Sequence, residues 1–240
     1  MRQYLHYMAV GPIERELWQT ETLPGTLAQS DGRGVPLWWR VVTIGERVAA
    51  LLLLFALLPL LLALGLVIAV LSSGPPLIAL ARAGRHGRCI WLLKLRTMWG
   101  SESEPRRGGG LLERMEVTLV PVLKTGSDPR VTNRLAAFCR RYSIDELPQL
   151  WHVVRGEMAL VGPRPLTFAE LDAYYGVDAN EVLNLKPGLT GLWQVKGRNS
   201  LSYAERLALD LYLVRNWSPR LYLSVLCATI PAVLSGRNAG

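Results

Sequence analysis

The sequence predicts a mostly helical α+β chain: a membrane-embedded re-entrant helix hairpin, then a small cytoplasmic domain of short strands and interfacial helices. Three observations carry that prediction. From Val48 to Leu71 every residue is apolar, glycine or proline. Downstream, Leu77–Leu80 and Cys89–Arg96 are short, largely apolar runs between glycine- and proline-rich turns, as strands are. The rest of the chain carries helix-start signals, Ser-x-x-Glu at Ser143 and Ser202 and Thr-x-x-Glu at Thr167.

Residues 1–40 read as a mostly irregular tail that ends in an interfacial aromatic anchor, Trp38-Trp39. No signal peptide is expected, because the apolar block starts too late and runs too long. Residues 41–76 form the membrane segment. At ~1.5 Å per residue its apolar block extends about 36 Å, enough for a ~30 Å hydrocarbon core. Pro59 sits mid-block, where it removes a backbone hydrogen bond and kinks a helix. Both flanks are cationic, with Arg40 and Arg47 before and Arg82, Arg85, Arg88 and Lys94 after. Positive flanks stay in the cytoplasm, so a kinked helix that enters and leaves on one face satisfies both observations. A plain span with a tolerated proline is the alternative.

The 240 residues carry a net charge of +8 and are 50% hydrophobic. The charge implies an anionic partner: nucleic acid, an anionic leaflet or a phosphorylated substrate. Three cysteines without a C-x-x-C pair, and three histidines, argue against a thiolate zinc site and a disulfide framework. Each cysteine is expected as a small buried apolar residue in a reduced compartment.

Residues 77–240 make the second domain. Ser72–Pro76 is a turn, Leu77–Leu80 a strand, Arg82–Arg88 a basic glycine-punctuated turn, and Cys89–Arg96 a second strand with Lys94 and Arg96 on one face. Gly100–Gly110 reads as a loop and Leu119–Leu123 as an edge segment. Lys124–Arg130 reads as a turn in which glycine and the cations Lys124 and Arg130 suit phosphate. Asn133–Tyr142 has helical spacing of Leu135, Phe138, Cys139 and Tyr142.

At the centre lies Arg141–Trp151, with adjacent carboxylates at Asp145 and Glu146. Ser143-x-x-Glu146 matches a capping box, and Pro148 favours a first helical turn, so both acids fall at a helix N-terminus. That position keeps Asp145 ionised and offers a phosphate its unpaired N–H groups. Two readings of Glu146, a cap of Ser143 or a catalytic group, stand side by side on spacing alone.

Here the ordered motifs resemble the bacterial sugar transferases that move a sugar-1-phosphate from a nucleotide diphosphate-sugar to a polyprenyl phosphate, the monotopic phosphoglycosyl transferases. The pieces are Arg82–Gly87, Leu93–Met98, Lys124–Thr132, Ser143–Trp151, Arg155–Pro165, Lys186–Val195 and Gly197–Asn199. Each alone is weak, whereas the ordered set is specific and covers about Val41 to Leu234. The short N-terminal region resembles the compact members without an added transmembrane domain. The resemblance implies that Asp145 is the nucleophile, forming a covalent phosphosugar intermediate, and that Glu146 is associated with Mg²⁺. It implies a UDP-sugar and polyprenyl (undecaprenyl) phosphate as substrates and UMP as released product. The pathway would be exopolysaccharide, capsule or O-antigen synthesis, at the cytoplasmic face of the bacterial inner membrane. Galactose or glucose is the expected hexose. Since phosphoryl transfer is mostly positioning and electrostatics, Arg140 and Arg164 are expected clamps, with Lys94, Arg96, Lys124 and Arg130 in support. Pro163 and Pro165 would stiffen the loop carrying Arg164. A homo-oligomer is compatible with all of this.

The chain departs from the pattern in places. Leu58 stands where Ser commonly precedes the membrane proline, Asn133 is one residue more than usual, and Ala136 replaces a common Gly. Glu157 and Ala159 stand where Asp and Ser are frequent.

Further on, Thr167–Tyr175 is expected as a capped helix, and Gly188, Gly191 and Gly197 as marking a loop around a packed Trp193. Ser202 to about Asn216 is expected as a helix pairing Asp210 with Arg206, and Ser218–Leu234 as an interfacial apolar helix. Two other functions fit the charge: a membrane-tethered module binding nucleic acid or another anionic ligand, and a structural anchor. No nucleic acid is expected, because the cations are scattered through turns rather than along one exposed helix, and the carboxylate pair opposes it.

Overall fold

The computed structural model describes residues 37–72, 74–98, 111–115, 133–197 and 200–235. The apolar block becomes one helix, α1 (Leu37–Ser72), which includes the tryptophans assigned to the tail and runs through Pro59 with helical backbone on both sides. The hairpin expected at Pro59 is therefore not a break in the helix. A proline removes one hydrogen bond and crowds one carbonyl, which bends a helix without splitting it into two. Among the described residues this is the one helix long and apolar enough to cross a membrane, with mean hydropathy 3.0 and only 6% of its most apolar window buried. A core helix of a soluble protein would show the opposite burial.

The hairpin after it matches the sequence reading. Strand β1 (Leu77–Ala83) pairs antiparallel with β2 (Cys89–Leu95) around a turn in which His86 and Gly87 both have positive φ. β3 (Leu112–Met115) adds to β1 in parallel, giving the order β2-β1-β3. Then come α2 (Arg134–Arg141), a 3₁₀ turn (Ile144–Gln149) running into α3 (Leu150–Arg155), and β4 (Ala159–Val161). α4 (Phe168–Glu170) starts at a complete Thr167/Glu170 capping box and continues as a π-helical turn, Leu171–Tyr175. α5 (Ala179–Val182), β5 (Gly188–Thr190), α6 (Leu192–Lys196), α7 (Tyr203–Arg215) and α8 (Pro219–Ser235) complete the chain. α7 has the predicted capping box, Ser202 with Glu205.

The glycine-marked loop around Trp193 is instead a strand and a short helix. β5 pairs in parallel with β4, and Gly162 N–H donates to the Thr190 carbonyl at 2.9 Å while Gly188 N–H donates to the Pro163 carbonyl at 2.7 Å. A side chain at Gly162 or Gly188 would run into the other's backbone, so the glycines are what let the two segments touch.

Three apolar clusters hold these parts together. Ala50, with Leu54 and Leu57 of α1, packs on Leu92, Leu150, Val153 and Met158. Val161, Leu213, Tyr222 and Val225 pack with Val42, and Ala83, Leu166, Tyr175 and Val182 form the third. Glu46 bolts α1 down: its Oε2 accepts Leu160 N–H at 3.2 Å and Tyr222 O–H at 3.1 Å. The outward faces of α1 and α8 stay apolar, with Phe55, Leu62, Ile230 and Leu234 exposed. Of the cysteines only Cys139 is buried. Cys89, at a strand end, and Cys227, on an outward face of α8, are exposed, contrary to expectation.

Candidate active site

The dyad sits where α2 ends and the chain turns sharply. Asn133 caps α2, its side chain accepting Leu135 N–H at 2.8 Å. Past Tyr142, Ser143 adopts φ 56°, a left-handed conformation, and the 3₁₀ turn carrying Asp145 and Glu146 begins. The predicted Ser143/Glu146 capping box does not form. Capping needs extended backbone at the first position, and from left-handed backbone the Ser143 side chain makes no capping hydrogen bond. The Glu146 carboxylate turns to the sheet instead.

There it meets Lys94, Nζ to Glu146 Oε1 at 2.6 Å, with Asp145 Oδ2 4.0 Å from the same ammonium. Arg164 Nη1 lies 3.7 Å from Glu146 Oε1. Asp145 is only 6% exposed. Burial pushes its carboxyl above the ordinary range, Glu146 adds to the rise, and Lys94 and Arg140 oppose it. Desolvation thus works against the ionisation that the first-turn position was expected to favour, and Lys94 is the main counterweight.

A buried imidazole fastens the strand next to Lys94. β2 is the sheet edge, and the outward N–H of Leu93 donates to His152 Nε2 at 3.1 Å. Nε2 must then be the acceptor, so Nδ1 carries the proton and donates to Glu157 Oε2 at 2.6 Å. Arg155 holds Glu157 from the other side at 3.0 Å. Sequence reasoning did not single out His152, and nothing in its spacing marks it.

Other expected residues divide. Arg140 ends α2 close enough to lower Asp145. Arg164 follows β4 and stands over the buried Trp193, 5.6 Å from its ring. Trp193 is packing, as expected, with Arg206 4.7 Å from its centroid. Pro163 and Pro165 flank Arg164, the first tied to Gly188 and the second lining the cleft beside the dyad. Arg96 points elsewhere: its guanidinium pairs with Glu113 and donates to the Pro75 carbonyl, fastening β3 and the proline turn. Asp210 is fully buried and accepts Tyr175 O–H at 2.9 Å, with Arg206 acting on it as a nearby charge. Lys124 and Arg130, like Gly100–Gly110 and Leu119–Leu123, lie outside the described residues.

Arg82 is a cation that the sequence reading gave to a turn, a membrane flank and a family motif, and not to the site. It belongs to β1, opposite Ile90, on the face that carries Leu92 and Lys94, and it lines the same cleft. Burial lowers its pKa to about 10, with Arg164 adding to the fall and Glu170 and Glu146 opposing it. Extending the two-residue alternation past Leu80 would have found it.

Among the described residues no group of three or more His, Cys, Asp or Glu side chains could cage a metal ion. Two adjacent carboxylates do suit Mg²⁺, which takes one or two carboxylates and fills its remaining positions with water and phosphate oxygens. The arrangement as a whole, a buried acid beside a second acid and ringed by Lys94, Arg82, Arg140 and Arg164, can hold a diphosphate and present a nucleophile to it.

The bacterial sugar transferase family model matches residues 39–236. A UDP-galactose-lipid carrier transferase of Erwinia amylovora is 43% identical over 204 residues, which cover 81% of this chain and 40% of the relative. The exopolysaccharide production protein ExoY of Sinorhizobium fredii is 40% identical over 79% of this chain and 84% of its own length. A UDP-glucose:undecaprenyl-phosphate glucose-1-phosphate transferase of Caulobacter vibrioides is 40% identical over 81% of this chain and 70% of its own. The chain thus spans most of ExoY but less than half of the Erwinia relative.

Proposed function

The chain belongs to the bacterial sugar transferase family, and from that premise we propose that it transfers a hexose-1-phosphate from a UDP-sugar to undecaprenyl phosphate, releasing UMP and initiating an exopolysaccharide. The observation that carries this reading is the buried Asp145 held at 4.0 Å from Lys94, beside a cation-lined cleft.

The Asp145 carboxylate attacks the β-phosphorus; its bond to the bridging oxygen breaks, and UMP leaves with the electron pair. A phosphosugar remains on the carboxylate. A phosphate oxygen of the polyprenyl phosphate then attacks the same phosphorus, and the carboxylate leaves, regenerated. Lys94 keeps Asp145 available as an anion and, with Arg82, Arg140 and Arg164, offsets the charge that builds on the phosphoryl oxygens. Glu146 would hold Mg²⁺, which when bound neutralises the diphosphate and eases departure of UMP. Pro163 and Pro165 limit the freedom of the Arg164 loop.

Residues 77–240 act as the catalytic domain, facing the cytoplasm against an anionic inner leaflet, with α8 lying in the interface. α1 bends at Pro59 and returns to the same leaflet. Support for that topology comes from packing on both sides of Pro59: Ala50, Leu54 and Leu57 lie against the sheet and α3, while Ile68 is buried and Gly65 faces Pro76 just before β1. A straight crossing would carry Ser72 about 22 Å beyond Leu57, at ~1.5 Å per residue.

The test is UMP release from UDP-galactose and UDP-glucose with polyprenyl phosphate, for the parent and for Asp145→Asn. The substitution should abolish turnover and the phosphosugar adduct on the protein. Full transfer by Asp145→Asn would show the mechanism to be wrong.

A further inference from the structure

The cleft beside the dyad holds two uncharged amides that the phosphoryl chemistry does not use. Gln149 and Gln194 line it together with Arg82, Lys94, Glu146 and Arg164. Gln149 is 2% exposed, and its buried Nε2 has no hydrogen-bond partner among the described residues. Gln194 is fixed by its Nε2, which donates to the Leu189 carbonyl at 3.2 Å, while its buried Oε1 has no partner among the described residues. The residues lining the cleft thus include two amides that each keep one buried polar atom, a donor on Gln149 and an acceptor on Gln194, without a partner among the described residues. Buried polar groups in folded proteins are nearly always satisfied, so a pair left open in a cleft points to a ligand.

Position narrows which part of the ligand. A 3₁₀ turn has three residues per turn, so Glu146 and Gln149 share a face, about 6 Å apart along the axis. The cations and Glu146 match the diphosphate. A neutral donor and acceptor match neutral hydroxyls, and the hexose is the neutral group bonded to the phosphorus that Asp145 attacks. The uracil is two phosphates and a ribose away. We propose that Gln149 and Gln194 form a neutral subsite for the hexose hydroxyls of the donor, Gln149 donating and Gln194 accepting. This assignment rests on the transfer reaction proposed above.

The test uses the full chain in lipid nanodiscs and follows UMP release. In Gln149→Met, which keeps the length and removes the amide, kcat/KM for the UDP-hexose should fall about tenfold, the effect of one lost hydrogen bond. Inhibition by UDP, which lacks the hexose, and the KM for polyprenyl phosphate should stay within about twofold of the parent. Unchanged kcat/KM overturns the assignment, as does a parallel loss of UDP inhibition, which would move Gln149 to the nucleotide. Should Gln149→Met not fold, deoxy-UDP-hexoses lacking one hydroxyl each are given to the parent protein. At least one should lose about tenfold in kcat/KM, and indifference to all of them sinks the proposal. A parent that releases no UMP from any UDP-hexose refutes the transfer reaction itself, whereas a parent that turns over but ignores the hydroxyls refutes only the subsite.

Discussion

Replacing Lys94 by Met isolates the force that keeps the buried Asp145, the proposed nucleophile, usable. At 4.0 Å and an effective dielectric of about 20, the Lys94–Asp145 attraction is about 4 kcal/mol. The Lys94 side chain is 17% exposed, and Arg140 remains, so about half of that, ~2 kcal/mol, is the usable figure. Losing it should cost up to about 30-fold in rate at the acidic end of the profile, below the carboxyl's own pKa, and less as pH rises. The sign is fixed by what opposes it: burial and Glu146 already raise the Asp145 carboxyl, and removing the cation raises it further. The ionised fraction then falls most at low pH, so the acidic limb of the kcat profile moves to higher pH and activity recovers partly as pH rises. Lys94→Arg should restore most of the rate. The assay is initial-rate UMP release across pH 5–9 at saturating UDP-sugar. A Lys94→Met profile that is lower by a constant factor but unshifted would refute the reasoning and leave Lys94 as a phosphate ligand only.

Asp210 has a carboxyl that burial pushes up to about 7 from 3.8. A raised carboxyl favours the folded state below its unfolded value, and that contribution is lost as pH climbs through 7. The melting temperature of the parent should therefore fall more between pH 5 and 8 than that of Asp210→Asn, which keeps an acceptor for Tyr175; parallel curves would exclude this role. Gly188→Ala would press a methyl into the Gly162 backbone and should destabilise by about 3 kcal/mol, read as a lower melting temperature and poor yield. Single cysteines placed at positions 40 and 74 of a cysteine-free background should both react with a membrane-impermeant thiol reagent from the cytoplasmic side only. Labelling from opposite sides would remove the re-entrant topology.

What could be read in advance follows from how local each signal was. The β1–β2 hairpin, α2, α7 and the Thr167 cap are written in runs of neighbouring residues, and the structure has them. The β4–β5 pair joins three-residue segments about thirty positions apart through glycines, which punctuate a sequence as loops do, so it read as a loop. The Ser143 cap failed because a single left-handed residue overrides a pattern that looks complete on paper. His152 and Arg82 came to light only with the strand register, since what they do depends on which edge or face of the sheet meets them. The pairing of Asp145 with Glu146 was legible, but its electrostatic balance was not, because burial is a property of the packed chain.

The bolt at Glu46 has a consequence for how the protein is made. Its two partners lie 114 and 176 residues further along the chain. Until both have been synthesised, the helix carries a carboxyl that has neither partner, a cost for an apolar segment that must dock on the rest of the chain. Only the arrival of Tyr222, near the start of the last described helix, closes the joint. Docking of α1 and completion of the polypeptide are thus coupled through one side chain. A nascent chain stalled before its final helix would carry an unsatisfied acid on α1, a mark by which unfinished copies differ from finished ones.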